Sequence, residues 1–368
     1  MNADFQARTS RFDIFPVRDY DQYVAGHAHA TPYHNSAWLQ AVESAYGHTG
    51  WLITVHQNGV LCGVLPLVEV KPPIGSRSLV SLPFCDLGGV LADNEDIRNK
   101  LMSEAKALAK TNRAKILEIR EGGAALETEL EEQKEQQAHT LPADTKVRML
   151  CDLPESGEAL FKSYKPKLRS QIRKAEKNGL RAELRTDADA INLFYDVFAQ
   201  NMHRLGSPVH SLRWFQDLKT AYGDQMLVSV VFKEDKPVGA GIVLVQGKQA
   251  CIPWASTLEE FNRLAPNMLL YWTLLNHVCD LGCTVFDFGR STLGEGTFRF
   301  KKQWGAKPYE LIWTEYLNGH KSVAEAETTS GSASALSRMR PFIENIWRRL
   351  PLSVSNWLGP KLRRYITL

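Results

Sequence analysis

No stretch of the 368 residues is apolar and unbroken for long enough to cross a bilayer, which takes roughly 20 residues. The opening residues MNADFQARTSRFDIF also lack the apolar core of a secretory signal, so the cytoplasm is the expected location. Cysteine is scarce: six residues, at 62, 85, 151, 251, 279 and 283, with no CxxC pair. That usage agrees with a reducing compartment and reads as small buried hydrophobes rather than a redox or metal set. Neither charge dominates, since 44 Lys and Arg against 41 Asp and Glu leave only +3, so the total does not call for a nucleic-acid partner. There is no Walker-type loop and no Ser-His-Asp constellation. His27, His29 and His34 of GHAHATPYH have no carboxylate or cysteine at ligand spacing, and His277 with Cys279 and Cys283 ends an apolar helix, so no metal is expected.

What is present is enough apolar material for two cores, with 44% hydrophobic residues, nine Trp and fifteen Phe in a length that fits about two domains. The two are copies of one another. A shift of 176 positions lays Trp38 on Trp214, Gln40 on Gln216, Ala45 on Ala221, Tyr46 on Tyr222, Gly47 on Gly223 and Gly63 on Gly239, without a gap. In each copy a helical stretch ends at Tyr-Gly and is followed by a hairpin, WLITVHQNGVLCGVLPLV in one and MLVSVVFKEDKPVGAGIVLV in the other. Copy one continues with a strand region LVSLPFCDLGGVLA. A helix led by Asp93 and Asn94 then carries Ile97, Leu101, Ala105 and Leu108 on one face, and the strand Ile116–Ile119 follows. Copy two continues with the strand QACIPWAST, the helix Asn267–Leu281 and the strand Val285–Phe288. The expected class is α/β, layered in the α+β manner, with mixed and mostly antiparallel sheets. Expected boundaries are 10–155, 156–320, and a linker and basic amphipathic tail over 321–368; residues 122–145 read as an acidic surface excursion.

SYKPKLRSQIRKAEKNGL (163–180), NMLLYWTLL and FDFGRSTLGEGTFRFKKQWGAKP (286–308) together resemble the FemAB-like aminoacyltransferases, within the GNAT-fold N-acyltransferase superfamily. The ending WRRLPLSVSNWLGPKLRRYITL resembles the branch associated with exosortase/PEP-CTERM systems. The resemblance implies two tandem GNAT-like domains, of which the second is catalytic, and no permanently bound cofactor. It also implies an activated acyl donor, aminoacyl-tRNA or an acyl thioester on coenzyme A or a carrier protein, and an acceptor in peptidoglycan or exopolysaccharide assembly.

Several residues carry the chemistry on this reading. Pro253 cannot donate to a ladder, so its strand either bulges or lies at an edge. In the GNAT fold the equivalent strand parts from its neighbour and a freed N–H meets the acyl carbonyl; Trp254 would lie at that opening. Asp287, flanked by Phe286 and Phe288, is either a general base of raised pKa or the partner of an arginine that fixes the strand end. Phe300-Lys301 matches the Phe-Lys pair of FemAB-like proteins, which places Lys301 at the reacting centre. Helix Thr297–Trp304 would turn Phe300 and Trp304 inward, with Arg299, Lys301 and Lys302 away from that face. Arg290 and Lys302 are further candidates for donor phosphates. A coenzyme A pyrophosphate would sit at Arg263-Leu264-Ala265-Pro266-Asn267-Met268, where Arg263 and Asn267 are candidates but Pro266 and Met268 replace the glycines usual in the superfamily.

The segment 162–185 holds nine basic residues against Glu176 and Glu183. Leu168, Ile172 and Ala175 form its buried stripe, while Arg169, Arg173 and Lys177, with Lys167, suit a polyanion such as a tRNA stem or a pyrophosphate-linked precursor. In the tail, Phe342, Ile343, Ile346, Trp347 and Leu350 share a face. Arg338, Arg340, Arg348, Arg349, Lys361, Arg363 and Arg364 stand against Glu344, which fits either a membrane-surface element or a helix packed on the body. The expected function is direct N-acyl transfer, copy one supplying a second wall to a cleft. Its rivals are an acetyltransferase of an amino sugar and a non-catalytic glycan- or RNA-binding module.

Overall fold

The computed structural model describes residues 5–126, 145–187, 189–321 and 342–367. These fall into two units, one from Met1–Gly123, Leu311–Glu327 and Arg364–Leu368, the other from Ala124–Glu310 and Thr328–Arg363. The acidic run over 127–144, the Ser/Ala-rich segment 322–341, Arg338 and Arg340 lie outside the described residues.

In the first unit, β1 (Phe5–Arg11) is followed by α1 (Val17–Gly26) and α2 (Ser36–Tyr46), then the hairpin β2 (Thr49–Gln57) and β3 (Val60–Val70). The short β4 (Ser78–Val80) and β5 (Leu91–Ala92), α3 (Glu95–Thr111) and β6 (Ile116–Ala125) complete it. The strand order is β1-β2-β3-β4-β6, with β5 on β3, and every pair is antiparallel except β4 with β6. Asn94 caps α3 through the N–H of Ile97, and Ile97, Leu101, Ala105 and Leu108 face the sheet. The strand region expected over 79–92 forms only at its two ends, as β4 and β5. Leu82 and Phe84 take left-handed backbone angles and break it into two pieces.

The second unit runs β7 (Lys146–Asp152), α4 (Gly157–Ser163), α5 (Pro166–Lys177), β8 (Leu180–Arg185), α6 (Ala190–Leu205) and α7 (Leu212–Tyr222). The hairpin β9 (Met226–Lys233) and β10 (Lys236–Gln246) follows, then β11 (Gln249–Thr257), α8 (Pro266–Asp280), β12 (Val285–Thr292) and α9 (Gly296–Gln303). β13 (Lys307–Leu317) comes next, its first four residues in this unit and the rest in the first, where β14 (His320–Lys321) pairs with it. A helix over 342–349, α10, and α11 (Leu352–Arg363) complete the second unit. Strand order here is β13-β7-β12-β11-β10-β9-β8, and only β11 with β12 is parallel. The core gathers α8, the inner faces of β10 to β12, and the buried stripe Leu168, Ile172 and Ala175 of α5.

The duplication is structural as well as sequential. At the 176-residue shift the bounds of α2 fall on those of α7, and β3 falls on β10. Trp38 and Trp214 are both fully buried, and Gly47 and Gly223 both end their helices at positive φ. The match extends to a residue the sequence comparison left out, because His34 falls on His210 and both are buried. In each copy a tyrosine of the preceding helix donates to that histidine's carbonyl, Tyr20 at 2.6 Å and Tyr195 at 3.0 Å.

Gly63 and Gly239 sit where the crossover helix or its approach presses on the hairpin. A Cβ at Gly63 would stand 2.4 Å from Ile97 Cγ2, whereas one at Gly239 would meet Thr257 Cγ2 at 3.2 Å. Gly63→Ala should therefore cost about 1–3 kcal/mol from overpacking, and Gly239→Ala less than about 1 kcal/mol. Urea denaturation of the two variants checks the order.

Candidate active site

β11 and β12 begin as a parallel pair, Gln249↔Val285, Ala250↔Phe286 and Cys251↔Asp287, and the pairing ends there although both strands continue. Both carry an extra residue at the point of parting. Against β10, Leu244 faces Cys251 but Ile242 faces Trp254, which puts the bulge at Ile252-Pro253. Against β7, Leu150 faces Asp287 but Arg148 faces Arg290, which puts the second bulge at Phe288-Gly289, where Gly289 has φ +71°. Proline removes a ladder donor and glycine accepts the left-handed angle, so both departures are written in the residues.

A polar network secures the β12 bulge. Asp287, 3% exposed, accepts from Arg148 Nε at 2.7 Å through one carboxylate oxygen and from the Gly289 N–H at 2.7 Å through the other. Lys301, on α9, donates to the carbonyls of Gly289 at 3.2 Å and Arg290 at 2.8 Å. Carboxylate, guanidinium and ammonium thus hold the turn of the strand from both sides, and each is shielded enough for these charge-assisted bonds to be strong.

This geometry corrects one expectation. Lys301 does not point away with Arg299 and Lys302; it is 8% exposed and turned onto the sheet, while those two are exposed. The reason is helical spacing. Lys301 lies three residues from both Phe298 and Trp304, and all three share the buried side, with Phe300 packing beside them against Tyr271 at 5.0 Å. Of the two readings of Asp287, the structure places it with an arginine at the strand's turn. The partner, Arg148, went unnoticed in the sequence, although a cation between Val147 and Met149 in an otherwise apolar alternation is a visible signal.

Trp254 directly follows the bulge, half-buried, with its ring against Phe215 at 5.0 Å, His210 at 6.1 Å and Trp214 at 6.4 Å. His210 is the functional-region residue that sequence reasoning missed, and the 176-residue shift was the signal for it. Its Nε2 accepts from Arg363 Nε of α11 at 3.1 Å, and burial, then the Arg363 charge, hold its pKa well below 6.5.

The phosphate candidates divide. At the start of α8, Ala265 takes φ +67°, Pro266 occupies the first turn and Met268 is buried, leaving Arg263 exposed and Asn267 half-buried. Lys167, Arg169 and Arg173 lie on α5. There a groove of about 510 Å³ is lined by Pro166, Arg169, Ser170, Arg173, Lys174 and Lys177, and Arg173 lies 5.3 Å from the Phe161 ring. Arg290 is half-buried in the β12 turn, and Lys302 is exposed. The cysteines are all buried and free; burial pushes Cys151 to about 11 and Cys279 to about 12.

The first unit carries the same construction, filled by its own chain. β4 and β6 pair in parallel over Ser78↔Ile116, Leu79↔Leu117 and Val80↔Glu118. Beyond that, Ser81 donates to Glu118 and Gly88 to Arg120, while Phe84 and the fully buried Arg120 hold the Thr367 carbonyl at 2.6 and 3.0 Å.

Residues 162–302 match the model of the acetyltransferase (GNAT) domain. The second unit carries a GNAT domain. Over most of its length the chain is also similar to the lipid II:glycine glycyltransferase of Staphylococcus aureus (strain bovine RF122 / ET3-1), with 20% identity over 385 residues, 80% of this chain and 90% of that protein. Among solved structures, FemX superposes with a TM-score of 0.65 at 17% identity, covering 85% of this chain and 98% of that one. A tandem GNAT protein from the clavulanic acid pathway, without AcCoA, gives 0.51 at 12% identity, covering 87% and 100%. The fold is the tandem GNAT fold, and the GNAT domain match together with the similarity to a glycyltransferase supports an acyltransferase.

Two outcomes follow. Lys301→Ala strands two carbonyls and should cost about 1–3 kcal/mol. Exposed Lys302→Ala should stay within about 0.5 kcal/mol; denaturant midpoints decide between a buried tether and a diffuse basic surface. His210 is folded in its neutral form, so the unfolded chain takes up a proton that the folded one refuses once the pH drops below 6.5. Stability should therefore fall as pH decreases from 6.5. His210→Phe should flatten that slope in part, since burial also lowers His27, His48 and His56. Thermal midpoints from pH 7 to 5 measure it.

Proposed function

We propose that the chain transfers an aminoacyl group from an activated ester to an amine on a cell-envelope or exopolysaccharide precursor. The observation that carries the reading is the parting of β11 and β12 at Cys251 and Asp287, inside the segment that matches the GNAT domain. A carbonyl lodged between the strands meets backbone groups released from the ladder, which can stabilise the oxyanion formed as the amine lone pair attacks. The bond to the leaving oxygen then breaks, and the amine's proton passes to that oxygen. Asp287, Arg148 and Lys301 act on this step by holding the strand rather than by touching the acyl group. Similarity to a lipid II:glycine glycyltransferase supports an amino acid as the group moved and a cell-wall precursor as the acceptor.

For the donor, the groove on α5 favours aminoacyl-tRNA. Its cations lie along one exposed helix face, as a phosphate backbone requires. A thioester on coenzyme A would lean instead on the start of α8, where Pro266 has no N–H to give and no glycine allows close approach.

The test is incubation of the purified chain with charged tRNA and a nucleotide- or lipid-linked peptide precursor, with mass analysis of the acceptor. An amino-acid increment on the acceptor amine is expected; an acetyl increment from acetyl-coenzyme A in its place would overturn the donor assignment, and binding without turnover would favour a non-catalytic module. In the same preparation coenzyme A should bind no tighter than ~0.1 mM, about −5.5 kcal/mol. Arg169→Glu/Arg173→Glu should weaken tRNA binding by about tenfold or more at 0.1 M salt while leaving the thermal midpoint unchanged.

A further inference from the structure

Seven of the sixteen large hydrophobic side chains exposed among the described residues fall within 342–363, the span of α10 and α11. They are not the consequence of loosely attached helices. Trp347, Ser355 and Gly359 are buried, and a Cβ on Gly359 would stand 2.8 Å from the Val209 nitrogen, so α11 lies close against the chain there. His203 Nε2 meets the Leu350 carbonyl at 2.8 Å, Arg348 donates to the Leu205 carbonyl at 3.3 Å, and Arg363 donates to His210. With one face engaged in this way, the opposite face is fixed outward.

That outward face is apolar with a cationic rim. In α11, Val354, Trp357 and Lys361 recur at helical spacing on the side away from Ser355 and Gly359, and Leu362, 43% exposed, follows Lys361 at the helix end. Trp357 is 64% exposed and Lys361 Nζ lies 3.3 Å from its ring centroid. In α10, Phe342 is 62% exposed, with Ile343 and Ile346 beside it. Glu344 is the one acid of the span and pairs with Arg348 at 3.7 Å, which leaves Arg349 and Lys361 as exposed cations. Exposed tryptophan and aliphatic side chains on short helices, bordered by cations and almost free of acids, match the chemistry of a phospholipid interface: acyl chains for the apolar residues, anionic headgroups for the rim.

We propose that α10 and α11 present a docking face for an anionic phospholipid surface. This does not rest on the acyl-transfer reading and needs no substrate to be tested. The full chain is mixed with vesicles of phosphatidylcholine alone or with phosphatidylglycerol added, and floated on a density gradient. The chain should rise with the mixed vesicles, remain below with phosphatidylcholine alone, and detach as salt is raised. Trp357→Ser/Leu362→Ser and Arg349→Glu/Lys361→Glu should each lower the bound fraction about tenfold with an unchanged thermal midpoint. Absence of flotation with mixed vesicles, or flotation of the variants equal to the parent chain, overturns the proposal. So does a concentration-dependent dimer abolished by Trp357→Ser/Leu362→Ser, which would assign the face to a second copy.

Discussion

The second unit is organised around one constraint: two parallel strands must separate inside a sheet without leaving their backbone groups bare. A ladder that stops midway exposes N–H and C=O groups at a depth where water is scarce, and each unpaired group costs on the order of 1–3 kcal/mol. The chain meets this on the β12 side with ionised side chains. Asp287 takes the Gly289 N–H, Lys301 takes the carbonyls of Gly289 and Arg290, and Arg148 balances the carboxylate. On the β11 side the solution is subtraction, since Pro253 has no N–H to satisfy. On the proposed reading, the edge of β11 beyond Cys251 is where the donor's carbonyl would lodge.

Duplication explains why this constraint appears twice. Both copies pair three residues in parallel after the crossover helix and then part. In the first, Glu118 stands where Asp287 stands in the second, but its arginine partner, Arg120, comes from two residues on in the same strand, and the opening is closed by the turn at Leu82–Phe84 and by Thr367. A buried arginine that serves a glutamate, the Cys85 carbonyl and Thr367 at once leaves no route for a ligand between those strands. The other copy is the one whose residues match the GNAT domain.

Much of this was legible in the residues. The repeat, the capped helix at Asn94, the buried stripe of α5 and the disturbance at Pro253 each follow from spacing or from what one residue cannot do, and spacing is a local property. What escaped depends on contacts between distant residues. Lys301 sits in the run Arg299-Phe300-Lys301-Lys302, where Phe300 with Trp304 suggests an outward lysine and Phe298 with Trp304 an inward one; the carbonyls of Gly289 and Arg290, which receive the inward ammonium, are contacts the local pattern does not contain. Arg148 lies 139 positions before Asp287, and only the sheet brings them together. The break at Leu82 and Phe84 defeats a reading of apolar alternation, because both side chains are buried in spite of left-handed backbone angles. The tail's sequence fits either a helix packed on the body or a membrane-surface element; its helices bury Trp347, Ser355 and Gly359 and leave Phe342 and Trp357 exposed, a split that spacing alone does not specify.

The same reasoning bears on how a donor is held. A helix start can bind phosphate through backbone N–H groups only where those groups are present and nothing crowds them. α8 begins with Ala265 in a left-handed angle, a proline without an N–H, and Met268 turned into the core. What this unit has in place of a backbone cradle is side-chain charge on α5, carried by long, mobile lysines and arginines. Side-chain charge of that kind grips an extended polyanion along its length, whereas a compact pyrophosphate needs a few fixed donors at one point. On the proposed reading the division of labour is consistent: the sheet, fixed by Asp287, Arg148 and Lys301, would supply a rigid place for one carbonyl, and α5 a sequence-tolerant hold on the long anion that delivers it.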